Sequence, residues 1–163
     1  HKPGDEMEVD WAGSTIDIYD DVTGEISPAY LFVAVLPCSL YVYAEICPNM
    51  KADTFISCHV HAYTYFGGST RLLIPDNLKA GVTRNTRYDT LIPRAYKEMA
   101  DHYNTAIVPA RVKHPDDKPN AEGSVKFATT WILAVLRNNH FFSIEEAKMA
   151  VSEKLEELNL RPF

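Results

Sequence analysis

The first fifty residues alternate apolar and polar positions in the manner of β-strands. Four segments rich in Val, Ile, Tyr and Phe follow one another along the chain: EMEVDWAG, STIDIYD, AYLFVAVL and SLYVYAEI. Turn residues separate the later segments, since DDVTGEISP supplies Asp, Gly and Pro and LPCS makes a short link. This pattern predicts an antiparallel meander of three or four strands.

The middle of the chain changes to helical and buried-strand patterns. Apolar residues recur with helical spacing from Lys51 to Phe66, and the glycines of FGG end that helix. The next segment, RLLIPDN, is a short apolar run typical of a buried parallel strand, and it carries Asp76 at its carboxyl end. A helical pattern interrupted by Pro93 follows in YDTLIPRAYKEMADHYN, and TAIVPARV indicates another short strand.

The last third of the chain predicts two helices. The first extends from Asn120 to about Asn138 and follows the basic, proline-bounded loop RVKHPDDKP. The second begins at Ser143, whose hydroxyl forms a capping box with Glu146 three residues on. The predicted order is therefore three or four strands, helix, strand, helix, strand, helix, helix.

The composition is that of one globular domain. The chain has 163 residues, of which 46% are hydrophobic and 23% charged. No apolar run reaches the roughly 20 residues that cross a bilayer, so we expect a single domain over residues 1–163 and no membrane insertion. Because the chain lacks an initiator methionine and stops at LNLRPF directly after an amphipathic helix, we expect it to be a fragment of a longer protein.

The acidic balance argues against DNA binding through bulk positive charge. The net charge is −6 and the isoelectric point is near 5.5. This objection is weaker if the excess acid belongs to a metal site and to the helix EEAKMAVSEKLEELN, and if flanking domains supply most phosphate contacts. Charge alone therefore leaves nucleic-acid binding open.

Cysteines and histidines form no recognisable metal motif in the sequence. Cys38, Cys47 and Cys58 lie in apolar or strand-like segments without a C-x-x-C pair, and we interpret them as buried thiols in a reducing cytoplasm. His59 and His61 are two residues apart on a predicted helix, so they point in different directions, unlike a zinc pair at i and i+4. We interpret both histidines as non-ligands.

Three carboxylates in three settings are the candidate chemistry. Asp10 lies in a strand pattern, where an inward-facing acid is costly unless it is paired or bound to metal, although an edge strand would expose Glu6, Glu8 and Asp10 as one solvated row. Asp76 ends a strand, where open α/β sheets collect ligands, or it is a turn or cap aspartate. Glu122 lies near a helix start, which suits a negative charge even without a function. Together the three could converge on two Mg²⁺ ions about 3.5–4 Å apart, which suits in-line phosphoryl displacement.

Several segments, in this order, resemble the integrase core of IstA-type insertion-sequence transposases, relatives of retroviral integrases. The resemblance covers nearly the whole chain and rests on EVDWAG, YLFVAVLPCSLYVYAE, FGG, IPDNLKAGV, IVPARVKHPDDKPNAEGSV and NLRPF. It implies an RNase H-like α/β fold with a mixed sheet of five strands, three antiparallel and two parallel, flanked by helices. It also implies a DDE triad at Asp10, Asp76 and Glu122 that holds two Mg²⁺ or Mn²⁺ ions.

The resemblance further implies a reaction and its partners. Members of this family cut donor DNA at the ends of the element and join the freed 3′ hydroxyls to target DNA, without a covalent protein–DNA intermediate. They carry further regions on both sides of this core and work with an AAA+ ATPase helper protein. We expect a homo-oligomer assembled on DNA in the bacterial cytoplasm. Two alternatives stay open: an RNase H-like nuclease that only hydrolyses, and an inactive module that contacts DNA or partner subunits.

Basic and amide residues around the acids are candidate contacts to the DNA backbone. Lys126 lies four residues after Glu122 on the same helix face, where it could meet a phosphate or form an intrahelical ion pair. The other candidates follow Asp76 or precede Glu122, and they are Asn77, Lys79, Arg111, Lys113, Lys118 and Asn120. Each of these could equally face solvent.

Overall fold

The structure is a computed structural model that describes residues 4–76, 84–85, 90–91, 93–109 and 119–160, with the backbone alone at 84–85, 90–91 and 119–122. Its strands are β1 (Glu6–Trp11), β2 (Ile16–Tyr19), β3 (Ile26–Leu36), β4 (Tyr41–Cys47), β5 (Leu72–Pro75), β6 (Arg84–Asn85), β7 (Thr90–Leu91) and β8 (Ala106–Ile107). Its helices are α1 (Ala52–Phe66), α2 (Arg94–His102), α3 (Pro119–Leu136) and α4 (Ile144–Asn159). The order of the main elements is the predicted one.

A mixed sheet of six strands forms the centre of the fold, in the order β2-β3-β1-β5-β8 with β4 also paired to β3. Strand β3 runs antiparallel to β1, β2 and β4, whereas β5 runs parallel to both β1 and β8. The mixed character of the sheet is thus confirmed. The sheet has one strand more than the predicted five. The extra strand arises because β1 and β2 are separate strands that pair with different parts of the long strand β3.

Local signals at the helix ends are also confirmed. Helix α1 ends at Gly67, whose φ of 84° is left-handed, and the Gly67 N–H donates to the carbonyls of Tyr63 and Thr64. Ser143 caps α4 by accepting a hydrogen bond from the Glu146 N–H at 3.2 Å. The Glu146 carboxylate accepts a hydrogen bond from the Phe142 N–H at 2.8 Å. In the usual capping box this bond comes from the N–H of the cap residue itself, so here the donor lies one residue earlier.

The helix expected across YDTLIPRAYKEMADHYN is shorter than its apolar pattern suggested. Thr90–Leu91 pairs with Arg84–Asn85 in a small antiparallel hairpin, and α2 begins only at Arg94. Proline explains the difference, because Pro93 has no backbone N–H to donate and disfavours helical geometry in the residue before it. Cys38 is a second correction, since it is exposed rather than buried.

Helices cover both faces of the sheet and create two apolar cores. One face of β1, with Met7, Val9 and Trp11, packs against α1 and α2. The other face of the sheet packs against α3 and α4, whose core residues include Ile132 and Val151. None of the helices in the described part of the chain combines the length and apolar character that crossing a membrane requires.

The end of α4 is attached to β4, which pairs with no strand other than β3 among the described residues. The side-chain amide of Asn159 accepts a hydrogen bond from the Val42 N–H at 2.9 Å and donates one to the Val42 carbonyl at 2.8 Å. A further bond of 2.9 Å joins Asn159 Nδ2 to the hydroxyl of Tyr65 on α1. One amide therefore joins α4, β4 and α1.

Candidate active site

Asp10 lies on a central strand of the sheet, which decides between the two interpretations of its sequence context. Strand β1 is hydrogen-bonded to β3 on one side and to β5 on the other. Glu6 and Glu8, which alternate with the apolar residues of this strand, are only 5% and 6% exposed. The edge-strand interpretation, with Glu6, Glu8 and Asp10 as one solvated row, is therefore wrong. Asp10 faces the side of the sheet that α3 covers, opposite Val33.

The parallel pairing of β1 with β5 brings Asp76 next to Asp10. Val9 is the register partner of Pro75, and the Asp76 N–H donates to the Val9 carbonyl at 2.9 Å. Asp10 and Asp76 are the next residues on the two strands, so they are neighbours at the carboxyl ends of parallel strands. Ligand sites of α/β sheets form at such ends.

The two carboxyl groups interact electrostatically. The pKa of Asp10 is raised from 3.8 to about 7, first because burial disfavours the charged form and next because of the charge of Asp76. A hydrogen bond between the two side chains raises the pKa of Asp10 further, whereas a backbone hydrogen bond from Trp11 acts in the opposite direction. Asp10 Oδ1 is buried and finds no hydrogen-bond partner among the described residues. Such a paired, partly desolvated acid is the environment in which a cation is favourable.

A cleft of about 540 Å³ opens over this pair. One wall is the segment after β1, and the other is a face of α3. The residues that line the cleft are Asp10, Trp11, Ala12, Gly13, Ser14, Asp76, Val125, Lys126, Thr129, Thr130 and Leu133. Lys126 and Asp76 line the cleft and are exposed, so a charged substrate can reach both the Lys126 ammonium group and the Asp76 carboxylate.

Glu122 is one turn before Lys126 on the helix that forms this wall. It is the fourth residue of α3, so its backbone belongs to the first turn of that helix. Because residues four apart share a helix face, Glu122 and Lys126 are on the same side of α3. The Glu122 side chain is outside the described part of the structure, so its role stays a prediction.

The remaining predicted DNA contacts divide into two groups. Lys126 lines the cleft, as described above. Asn77, Lys79, Arg111, Lys113 and Lys118 lie outside the described residues, and Asn120 belongs to α3 with its side chain outside them.

Three hydroxyl residues of the cleft were not singled out in the sequence: Ser14, Thr129 and Thr130. The two threonines had a readable signal, since they follow Lys126 by three and four residues and so extend its helix face. Ser14 had none, because only the tertiary fold brings it to the cleft.

Curated proteins that are similar to this chain are named as transposases. No family model matches the chain. A protein of Pseudomonas fluorescens named as a candidate transposase for insertion sequence IS1162 is 39% identical over 163 residues, which is 100% of this chain and 29% of that protein. A candidate transposase of Sinorhizobium fredii is 40% identical over 161 residues, covering 99% of this chain and 31% of the relative. The chain thus spans less than a third of the length of these relatives.

Solved structures show the same fold. The catalytic core domain of BIV integrase aligns with a TM-score of 0.61 over 98% of this chain and 86% of that chain, at 15% identity. The catalytic core of HTLV-2 integrase, solved in complex with magnesium in a dimeric form, gives a TM-score of 0.63 over 98% of this chain and 89% of that chain, at 13% identity. The RNase H-like fold predicted from the sequence is confirmed. The resemblance to an integrase-like transposase core of insertion sequences is confirmed with it.

Proposed function

We propose that this chain is the catalytic core of a DNA transposase that cuts the ends of its element and joins the freed 3′ hydroxyls to target DNA. The observation that carries the proposal is the Asp10–Asp76 pair at the ends of two parallel strands, in a cleft lined by a lysine and hydroxyl groups. The names of the relatives and the integrase-core fold support the same chemistry.

The donors of this site fit hard divalent cations. Carboxylate oxygens are the preferred ligands of Mg²⁺ and Mn²⁺, and the buried Oδ1 of Asp10, which no described residue meets with a hydrogen bond, is an oxygen that a cation would satisfy. Asp10 and Asp76, with Glu122 as the third acid, would hold two such ions. When bound, the ions would stabilise the charge on the attacking and leaving oxygens of an in-line phosphoryl displacement.

The protein's other groups in the cleft would position DNA. The exposed ammonium of Lys126 would attract a backbone phosphate, and the hydroxyls of Ser14 and Thr130 would donate hydrogen bonds to phosphate oxygens. The register of β1 against β5 fixes the spacing of the two aspartates before DNA arrives. These contacts recognise the backbone, so sequence-specific recognition of element ends would come from elsewhere in the protein.

The wider organisation follows from the same proposal. Residues 1–163 would act as a single catalytic unit of a longer protein, as the partial coverage of the relatives supports. That protein would bind element ends and target DNA, assemble as a homo-oligomer on them and work with an AAA+ ATPase helper, in the bacterial cytoplasm.

A joining assay tests the proposal. The full protein that contains this chain would be given element ends, uncut or already cut, together with target DNA and Mn²⁺. Asp10→Asn should abolish cutting and joining while the fold persists, and Asp17→Asn, at an exposed position of β2, should leave both intact. Cutting without any joining would favour the hydrolytic nuclease. Retained joining by Asp10→Asn would contradict the proposal, and a folded wild type that binds no Mn²⁺ with DNA would favour the inactive module.

A further inference from the structure

A second group of metal-ligating side chains lies on the opposite face of the sheet from Asp10. Glu45 and Cys47 are two residues apart on β4, so both point toward α1, which contributes Cys58. The carboxylate of Glu45 and the two thiols offer ligand atoms that all lie within 4.8 Å of one another. The two sulfur atoms are 3.3 Å apart.

The geometry of this group suits a tetrahedral thiolate site. With metal–sulfur bonds of about 2.3 Å, two thiolates on one tetrahedral zinc ion lie about 3.8 Å apart, so the sulfurs of Cys47 and Cys58, at 3.3 Å, need to separate by only about 0.5 Å. A disulfide would require them to approach to about 2.05 Å. Both cysteines are only 1% exposed, which protects such a site from competing ligands.

Glu45 is held as a metal-bound carboxylate usually is. The Tyr43 hydroxyl donates to Glu45 Oε1 at 2.8 Å, and His61 Nδ1 lies 2.8 Å from the same oxygen. Both bonds fall on Oε1 and orient the carboxylate toward the two thiols. Ligating carboxylates in proteins are commonly fixed by such outer hydrogen bonds. The Glu45 side chain is 19% exposed and that of His61 is 53% exposed, so the cluster borders solvent on its Glu45 side.

We propose that Glu45, Cys47 and Cys58 bind a thiophilic divalent cation, with Zn²⁺ as the preferred ion, and that this site joins β4 to α1. Soft thiolates select Zn²⁺ over the Mg²⁺ and Mn²⁺ that suit the Asp10 cleft, so the two sites differ in the metal they take. Three protein ligands leave the fourth position to water, and His61 acts through Glu45.

Zinc binding by the reduced chain tests the site. An Asp10→Asn background removes binding at the cleft, and the protein is stripped with a chelator, reduced, and equilibrated with Zn²⁺ before its metal content is measured. One zinc per chain is expected. Cobalt substitution should give the thiolate-to-metal charge-transfer absorption that an all-oxygen site lacks.

Variants separate this site from adventitious binding. Cys58→Ser and Glu45→Gln should abolish stoichiometric zinc, and His61→Ala should weaken the affinity by about tenfold. Cys38→Ser is the matched control, because Cys38 is exposed and outside the cluster, and it should bind as the parent does. If Cys58→Ser fails to fold, Glu45→Gln with the cobalt spectrum still decides. Absence of stoichiometric zinc in the reduced parent, or equal loss in Cys38→Ser, would overturn the proposal.

Discussion

Replacing Asp10 by asparagine should stabilise the metal-free protein at neutral and alkaline pH. In the folded state the Asp10 carboxyl is desolvated and faces Asp76, which raises its pKa from 3.8 to about 7. The folded state therefore holds a proton that the unfolded state releases between these two pH values. Stability must fall as the pH rises through that window, and the full cost of the charged carboxylate is present above pH 7.

The size of the effect follows from the same shift. At about 1.36 kcal/mol per pH unit, a pKa raised from 3.8 to about 7 corresponds to an upper limit of about 4 kcal/mol. The side chain is partly exposed, and solvent screening reduces this limit, so we expect Asp10→Asn to gain about 1–2 kcal/mol at pH 8. The amide of asparagine can donate a hydrogen bond to Asp76, which replaces repulsion by attraction.

Denaturant unfolding of the isolated chain in the presence of a chelator measures this gain. The difference between Asp10→Asn and wild type should be largest at pH 8 and should vanish at pH 4, where Asp10 is protonated. Asp17→Asn removes the same charge at an exposed position and should change stability little at either pH. The reasoning is refuted if Asp10→Asn is no more stable than wild type at pH 8, or if its gain is equal at pH 4.

Four further predictions concern the scaffold. Tyr96→Phe removes the hydroxyl 2.9 Å from the buried His59 Nε2 and should cost about 1–3 kcal/mol in denaturant unfolding. Burial lowers the pKa of His59 from 6.5 to about 4, so wild-type stability should fall by up to about 3 kcal/mol as the pH drops from 6.5 to 4, and His59→Gln should remove that slope. Ser143→Ala loses the cap of α4 and should cost about 1 kcal/mol in thermal or denaturant unfolding, and unchanged stability would contradict the capping role. Asn159→Ala should increase hydrogen exchange at the Val42 amide, and unchanged exchange would contradict the role of that side chain.

Local features of the fold could be predicted from the sequence because they depend on neighbouring residues. The glycine after α1 and the serine before α4 end and begin their helices through bonds within one turn. The sequence showed that Pro93 interrupts a helical pattern. It did not show that the residues before Pro93 form a hairpin and that α2 therefore begins only after the proline. Alternation in β1 was also visible, yet the same pattern fits an edge strand and a central strand with a covered polar face. Only the pairing of β5 with β1 settled the choice.

The residues of the candidate site could be predicted from the sequence, but their positions relative to one another could not. Asp10 and Asp76 could be nominated from strand ends and from the family resemblance, but their adjacency depends on the register of β1 against β5. The sequence indicated buried thiols at Cys47 and Cys58, and their burial is confirmed. Their contact could not be foreseen, because eleven residues and a change from strand to helix separate them. Metal motifs with short spacing can be recognised in a sequence, whereas a pair such as Cys47 and Cys58, which meets across a strand and a helix and belongs to no quoted family motif, cannot.

The Asn159 side chain has a consequence for self-association. An edge strand presents unpaired amides and carbonyls that can template the addition of another chain, and such additions lead to aggregates. At Val42 on β4, a side-chain amide occupies both the donor and the acceptor, as a neighbouring strand would. The last residue of α4 thereby blocks part of an edge on which a second copy could otherwise add a strand. Removal of the Asn159 side chain would then uncover the Val42 amide and carbonyl and favour pairing of β4 with the edge of another sheet.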